Sequence, residues 1–262
     1  ASAEHPLTSR VFVNRVWHHL FGKGLVASVD NFGHMGRLPA NQALLDHLAV
    51  HFIKNGWSVK KLIREIVLSR VYQLSSENGE QSKLDLENKL HWRQNRRRLQ
   101  AEAIRDSILS VSGQLNTTVG GETIKPGTKI EYGYQFDDTR RSLYTPVFRN
   151  TPLEILTVFD FADPNLVVGE RPTSSVPTQA LYLMNNPFVR TQSTVAAKRL
   201  LTEELTNNTE RIAYTYRKTL GRNPTPRERE ILLKFLEEEN ESEAWAQIFH
   251  SLYASLDFRF LN

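Results

Sequence analysis

The chain has 262 residues, 33 Lys or Arg against 29 Asp or Glu, 40% apolar residues and no Cys. A chain of this length buries roughly 70–75% of the surface its unfolded form exposes, so a core is affordable without disulfide or metal staples. Zero Cys excludes a thiolate nucleophile, Cys-ligated zinc or iron–sulfur, and covalent haem attachment within this segment. The net charge of +4 is mild, well short of a nucleic-acid-binding stripe. It is also uneven, because residues 203–243 hold ten Glu against seven Lys or Arg. No apolar run approaches the roughly 18 residues that span a bilayer, and residues 1–10 lack the plan of a signal peptide. A soluble chain with no nucleic acid as partner and no membrane insertion is expected. The opening Ala1-Ser2-Ala3-Glu4-His5-Pro6, without Met, leads us to expect a processed chain or an excised domain.

Apolar residues at helical spacing, from Leu7 through Trp17 to Phe21, predict a first helix opened by Pro6 and stopped by Gly22 and Gly24. Leu44, Leu45, Leu48 and Phe52 predict a second, and Ser58 N-caps a third through Leu62, Ile63 and Ile66. The turn Asn55-Gly56-Trp57-Ser58 joins those two as a helical hairpin. A longer helix is expected through Leu99, Ala103 and Ile108 to Gly113. Turn dipeptides Gly120-Gly121 and Pro126-Gly127, with Tyr-, Val- and Thr-bearing runs at 130–134 and 142–147, predict a small inserted β-hairpin. A short helix at 152–161, helices beginning at Pro177 and Pro187, one over 209–220, one opened by the capping box Thr225-Pro226-Arg227-Glu228, and one over 244–254 complete the pattern. The fold class is mainly α, a multi-helix globular domain with a small inserted β-hairpin.

Three constellations carry chemistry. His47 and His51 lie four apart on one helix, the spacing with which two imidazoles reach one metal. Leu48 stands where a zincin motif needs Glu and no third ligand is evident, so a solvated face is preferred and no metal site is assigned. The Arg-rich stretch 93–98, with Glu102, Arg105 and Asp106, reads first as helical ion pairing, Arg98 with Glu102 and Glu102 with Arg105. Arg140-Arg141 and Arg149 would then lock the hairpin onto this helix. The other readings are an anion site, since guanidinium forks suit sulfate, phosphate or carboxylate, and, less favoured because the remaining charge is balanced, a nucleic-acid contact with Trp92 stacking on a base. Asp160, Asp163 and Asn165 form an acidic loop that can bind Ca²⁺, act in acid–base work or cap backbone donors, although its spacing is not the alternating one of a calcium loop. Walker, dinucleotide-binding, G-x-S-x-G and H-E-x-x-H signatures are absent from the sequence.

Ordered motifs add a resemblance. His5-Pro-Leu-Thr-Ser-Arg-Val-Phe-Val-Asn-Arg-Val-Trp17, Phe21-Gly-Lys-Gly-Leu-Val26, Leu44-Leu-Asp46, Gly56-Trp-Ser58, Asn95-Arg-Arg-Arg-Leu99, Ala101-Glu-Ala-Ile-Arg-Asp106, Arg140-Arg-Ser-Leu-Tyr144, Phe159-Asp160, Asp163-Pro-Asn165, Val176-Pro-Thr-Gln-Ala-Leu181 and Tyr216-Arg-Lys-Thr-Leu-Gly-Arg222 stand in the order of the PSD-one domain family. The chain resembles these uncharacterised C-terminal domains of large planctomycete surface proteins over nearly its whole length. It departs from the pattern at Ile63, where the family tends to have His, and at Ser255-Leu-Asp-Phe258. The resemblance implies an extracytoplasmic module that follows a cytochrome-c-like haem domain, with any haem held elsewhere in the parent protein and no cofactor in this chain.

One domain over 1–262 is therefore expected, with 206–262 as a C-terminal helical subdomain. The expected function is interaction or scaffolding with other domains of the parent protein, with an anionic ligand or sulfated glycan held by Arg97, Arg98, Arg105, Asp106, Arg141, Tyr144, Arg149 and Arg171. The alternative is a carbohydrate-active enzyme with a carboxylate pair drawn from Glu102, Asp160 and Asp163, which requires two of them about 5–9.5 Å apart in one cleft.

Overall fold

Leu7, Val11, Val13 and Trp17 open an apolar stripe that coils as α1 (Thr8–Phe21), two residues after Pro6, and ends at Gly22 in a left-handed conformation, φ 79°. The description is of a computed structural model covering residues 2, 4–129, 131–134, 136–238 and 240–261. Asn41 caps α2 (Gln42–Lys54), its side chain accepting from Leu44 N–H at 3.0 Å, and Ser58 caps α3 (Val59–Leu68). Val13, Trp17, Phe21, Leu45, Leu48, Phe52, Leu62 and Ile66 close into one buried cluster, each such side chain contributing about 1.5–3 kcal/mol.

The loop after α1 has its own anchor. Asn14 is fully buried, and its amide pairs with Val26 in both directions, accepting from Val26 N–H at 2.8 Å and donating to Val26 O at 2.9 Å. A Cβ on Gly24 would come within 2.5 Å of Val26 O and 2.8 Å of Asn14 Nδ2, which accounts for glycine at that position. These elements form one compact unit, residues 1–97.

The second unit spans 98–261. It contains α4 (Ala101–Ser112), α5 (Glu154–Val158), α6 (Pro177–Asn185), α7 (Pro187–Thr202), α8 (Asn208–Leu220), α9 (Pro226–Glu238), α10 (Glu241–Ala254) and α11 (Leu256–Arg259). Helix α10 packs most extensively on α7, with Trp245 and Tyr253 fully buried among Ile104, Ile108, Leu183, Val189, Ala197 and Ile212. The Thr225 capping box forms as its sequence demands: Glu228 accepts from Thr225 N–H at 2.7 Å and Thr225 Oγ1 from Glu228 N–H at 3.2 Å. Residues from the acidic last quarter, Ile212, Tyr216, Trp245, Phe249 and Phe258, lie inside this same core.

The fold is mainly α, and two local expectations need correction. Residues 142–144 form a 3₁₀ turn, and no strand occurs at 131–134 or 142–147; Ile130 and Gln135 of the expected hairpin lie outside the described residues. The two-stranded sheet is instead β1 (Arg97–Arg98), at whose Arg98 the second unit begins, with β2 (Phe260–Leu261). The Arg-rich stretch is also not helical. Leu99 N–H donates to Arg259 O at 2.7 Å, and this pairing holds the backbone extended until α4 begins at Ala101.

Candidate functional site

Among the described residues of 113–153 and 159–176 in the second unit, the named structures are an isolated bridge between Asn116 and Arg140 and the 142–144 turn. Such a segment has carbonyls without ladder partners, and these must find donors elsewhere. Guanidinium forks supply them, with five fixed N–H donors each.

Arg105, on α4, is 6% exposed. Its Nη1 donates to Arg140 O at 3.0 Å and Ser142 Oγ at 3.2 Å, its Nη2 donates to Asp138 O, and the cation sits 4.9 Å from the centre of the Phe136 ring. Burial lowers its pKa, and Asp106 and Asp138 oppose that shift. Neighbouring Asp106 accepts from Ser142 N–H at 2.8 Å and Ser142 Oγ at 2.6 Å, so one helical turn grips both faces of the 142–144 turn.

Arg140 extends the grip. It pairs with Asp138 at 2.6 Å, donates to Gly120 O and Glu122 O at 2.6 Å each, and lies 4.9 Å over the Tyr144 ring. Tyr144 Oη in turn accepts from Gly120 N–H at 2.8 Å. Burial by itself would raise the Asp138 pKa, but bonds from the Arg140 backbone and side chain bring it below the usual value.

A second anchor joins the start of the unit to the acidic loop. Arg98 Nη2 bonds Asp160 Oδ2 at 2.7 Å and reaches Phe159 O at 3.4 Å. Asp160 adopts φ 57°, a left-handed conformation that Asp tolerates better than most residues. Its carboxylate also takes Ser174 N–H at 2.8 Å and Ser174 Oγ at 2.9 Å, and Gln179, fully buried, donates to Val158 O at 3.2 Å. A third anchor is Arg171, whose Nη1 lies 2.9 Å from both Glu102 oxygens while its guanidinium covers the Phe161 ring at 4.4 Å.

The expected Arg98–Glu102 pairing is thus replaced. Arg98 precedes α4 and meets Asp160, and Glu102 meets Arg171. The structure gathers Arg98, Glu102, Arg105, Asp106, Tyr144, Asp160 and Arg171 into internal contacts. Asp163 is exposed and closes an Asx turn, accepting from Asn165 N–H at 2.8 Å. Arg149 is exposed, its side chain without an ion pair among the described residues, and half-buried Arg141 has an unpartnered Nε. Arg97 belongs to the first unit, where its Nη1 donates to His19 O at 2.5 Å beside the C-terminus of α1. Asn95 Nδ2 reaches Phe21 O at 3.2 Å, and a Cβ on Gly22 would stand 2.8 Å from Arg97 Cδ.

Sequence reasoning missed Asp138, Ser142, Ser174 and Gln179 as partners. The signal available for Gln179 was an amide on the apolar face of α6. Sequence reasoning also missed Glu65, whose Oε2 lies 2.6 Å from His51 Nδ1 in the first unit. A groove of about 420 Å³ between α6 and α10, lined by Met184, Gln247, His250, Ser251, Ala254 and Ser255, includes none of the expected residues. Among the described residues no group of three or more His, Cys, Asp or Glu is placed to hold a metal ion, and no helix is long and apolar enough to cross a membrane.

Fold and contacts define a helical module whose irregular surface segment is moulded by buried arginines. The family model described as PSD1, protein of unknown function (DUF1553), matches residues 1–236, and the chain belongs to that family, the one to which the ordered motifs pointed. No curated protein and no solved structure matches the chain.

Proposed function

We propose that the chain is an interaction module of a larger exported protein, in which inner arginines hold an irregular segment in one shape while exposed Arg149 and half-buried Arg141, the outer pair, meet an anionic partner such as a sulfated glycan. The observation that carries this reading is the engagement of the three carboxylates offered for acid–base work. Glu102 is taken by Arg171, Asp160 by Arg98 and Ser174, and Asp163 by its own turn. Glu102 and Asp160, each bonded to a guanidinium, are poorly placed to take a proton from water or pass one to a leaving group, and exposed Asp163 has no second carboxylate as its partner in these contacts. The exported location rests on the family resemblance.

The test is calorimetric titration of a sulfated oligosaccharide into the wild-type chain, Arg141→Ala with Arg149→Ala, and Arg98→Lys. The outer double variant is expected to weaken binding by about tenfold with unchanged thermal unfolding, since each tenfold is about 1.4 kcal/mol. The expected effect of Arg98→Lys is on unfolding. Affinity that ignores the outer double variant, or steady release of reducing sugar from the oligosaccharide, contradicts the proposal.

A further inference from the structure

His47 and His51 lie on α2, one turn apart, with ring centres separated by 6.0 Å and planes tilted by 30°. Two imidazole nitrogens about 2.0–2.1 Å from one Zn²⁺ at near-tetrahedral angles put their ring centres about 5 Å apart, so the observed pair must close by about 1 Å and turn its nitrogens together through side-chain rotation. Neither ring is buried: His47 is exposed and the His51 side chain is 43% exposed. The hairpin then supplies what the helix alone lacks. Glu65, on α3, sets its Oε2 2.6 Å from His51 Nδ1.

When Nδ1 carries the ring proton it donates to the Glu65 carboxylate, which selects that tautomer and leaves Nε2 as the nitrogen with the metal-binding lone pair. The same contact restrains the ring before any ligand arrives. We infer that His47 and His51 form a chelate for a divalent transition metal on the α2–α3 hairpin, with Glu65 as the positioning residue for His51. Imidazole donors select Zn²⁺, Ni²⁺ or Cu²⁺ over Mg²⁺ and Ca²⁺, which prefer oxygen. Two protein donors leave coordination positions for water or for a donor from another molecule, so the site captures an exchangeable ion. All three residues belong to the first unit, and the inference stands apart from the anion-binding proposal.

The experiment is titration of ZnCl₂ into the full chain in a non-coordinating buffer, with His47→Ala, His51→Ala, Glu65→Gln and, as a control, exposed His34→Ala. The wild type is expected to take up one saturable equivalent, and each loss of His47 or His51 to weaken it at least about tenfold. Glu65→Gln is expected to weaken it by about 10–100-fold, the usual cost of losing a carboxylate behind a ligating histidine. His34→Ala is expected to match the wild type. A second readout is the His51 ring ¹⁵N spectrum, which should show the Nδ1–H form before Zn²⁺ and an Nε2 shift on adding it. No saturable uptake, an unchanged affinity in His47→Ala or Glu65→Gln, or a loss as large in His34→Ala overturns the inference. Circular dichroism of each variant separates any of these from unfolding.

Discussion

The second unit holds two kinds of structure side by side. Helices α7, α8 and α10 join through side chains that exclude water, with Trp245, Ile212 and Ala197 fully buried. The segment from 113 to 153 buries little: Val119, Tyr132 and Leu143 are each more than 60% exposed. It is held by charge and hydrogen bonds, through Arg105 and Arg140 reaching main-chain oxygens. Apolar burial is non-directional and tolerates sliding. A guanidinium fork fixes particular carbonyls, so it can give one shape to a chain that lacks a core of its own.

That contrast orders the expected effects of substitution. Trp245→Ala removes the largest fully buried side chain among the described residues and should cost about 3–5 kcal/mol in urea unfolding, across the whole unit. A cost under 1 kcal/mol would mean that α10 is not central to the core. Arg105→Met keeps volume and removes three hydrogen bonds to a charged donor; a cost of about 2–3 kcal/mol is expected, with the loosening confined to the segment around 138–144. Smaller again is the contribution of the C-terminal ion network, in which Arg222 bonds Glu228 at 2.7 Å and Asp257 at 2.7 Å.

That network also sets a pH dependence. Bonds from Arg222 hold Glu228 down at about 2, against an ordinary 4.5, despite the opposing effect of burial. A depressed carboxylate stabilises the fold fully above its unfolded value, and that part is lost as pH falls from 4.5 toward 2. With both partners about one-third exposed, solvent screening limits the contribution to about 1 kcal/mol. Unfolding midpoints of Glu228→Gln should therefore vary less with pH in that window than those of the wild type. The smallest effect is expected from Arg149→Ala, within about 0.5 kcal/mol of the wild type in the same unfolding assay, as for an exposed side chain without an ion pair among the described residues.

The same contrast explains what could be read from sequence. Caps and stops are local, so Ser58, Thr225 with Glu228, and Gly113 marked their helix ends directly. The mainly α fold followed from periodicity, because the helices bury apolar stripes. The 142–147 run failed as a strand since its Tyr, Val and Thr expressed only local preference, while Asp106 and Arg105, 36 and 37 residues earlier, draw Ser142 into a turn. Arg98 and Glu102 have helical spacing, but the pairing of Leu99 with Arg259 starts the helix too late for it to apply. For the candidate site the residue types were legible and the pairings were not. Arg171 with Glu102 and Arg98 with Asp160 join positions 69 and 62 residues apart, which no short-range pattern encodes.

The central claim is that buried arginines shape the irregular segment independently of the helical core. Native-state hydrogen exchange on Arg105→Met tests it most directly, at the amides of Arg140, Ser142 and Tyr144 against those of Ile248 and Leu252 on α10. The account predicts that protection falls at the first group while the second keeps its wild-type rates. Equal loss at both groups, or no loss at Ser142, would contradict it.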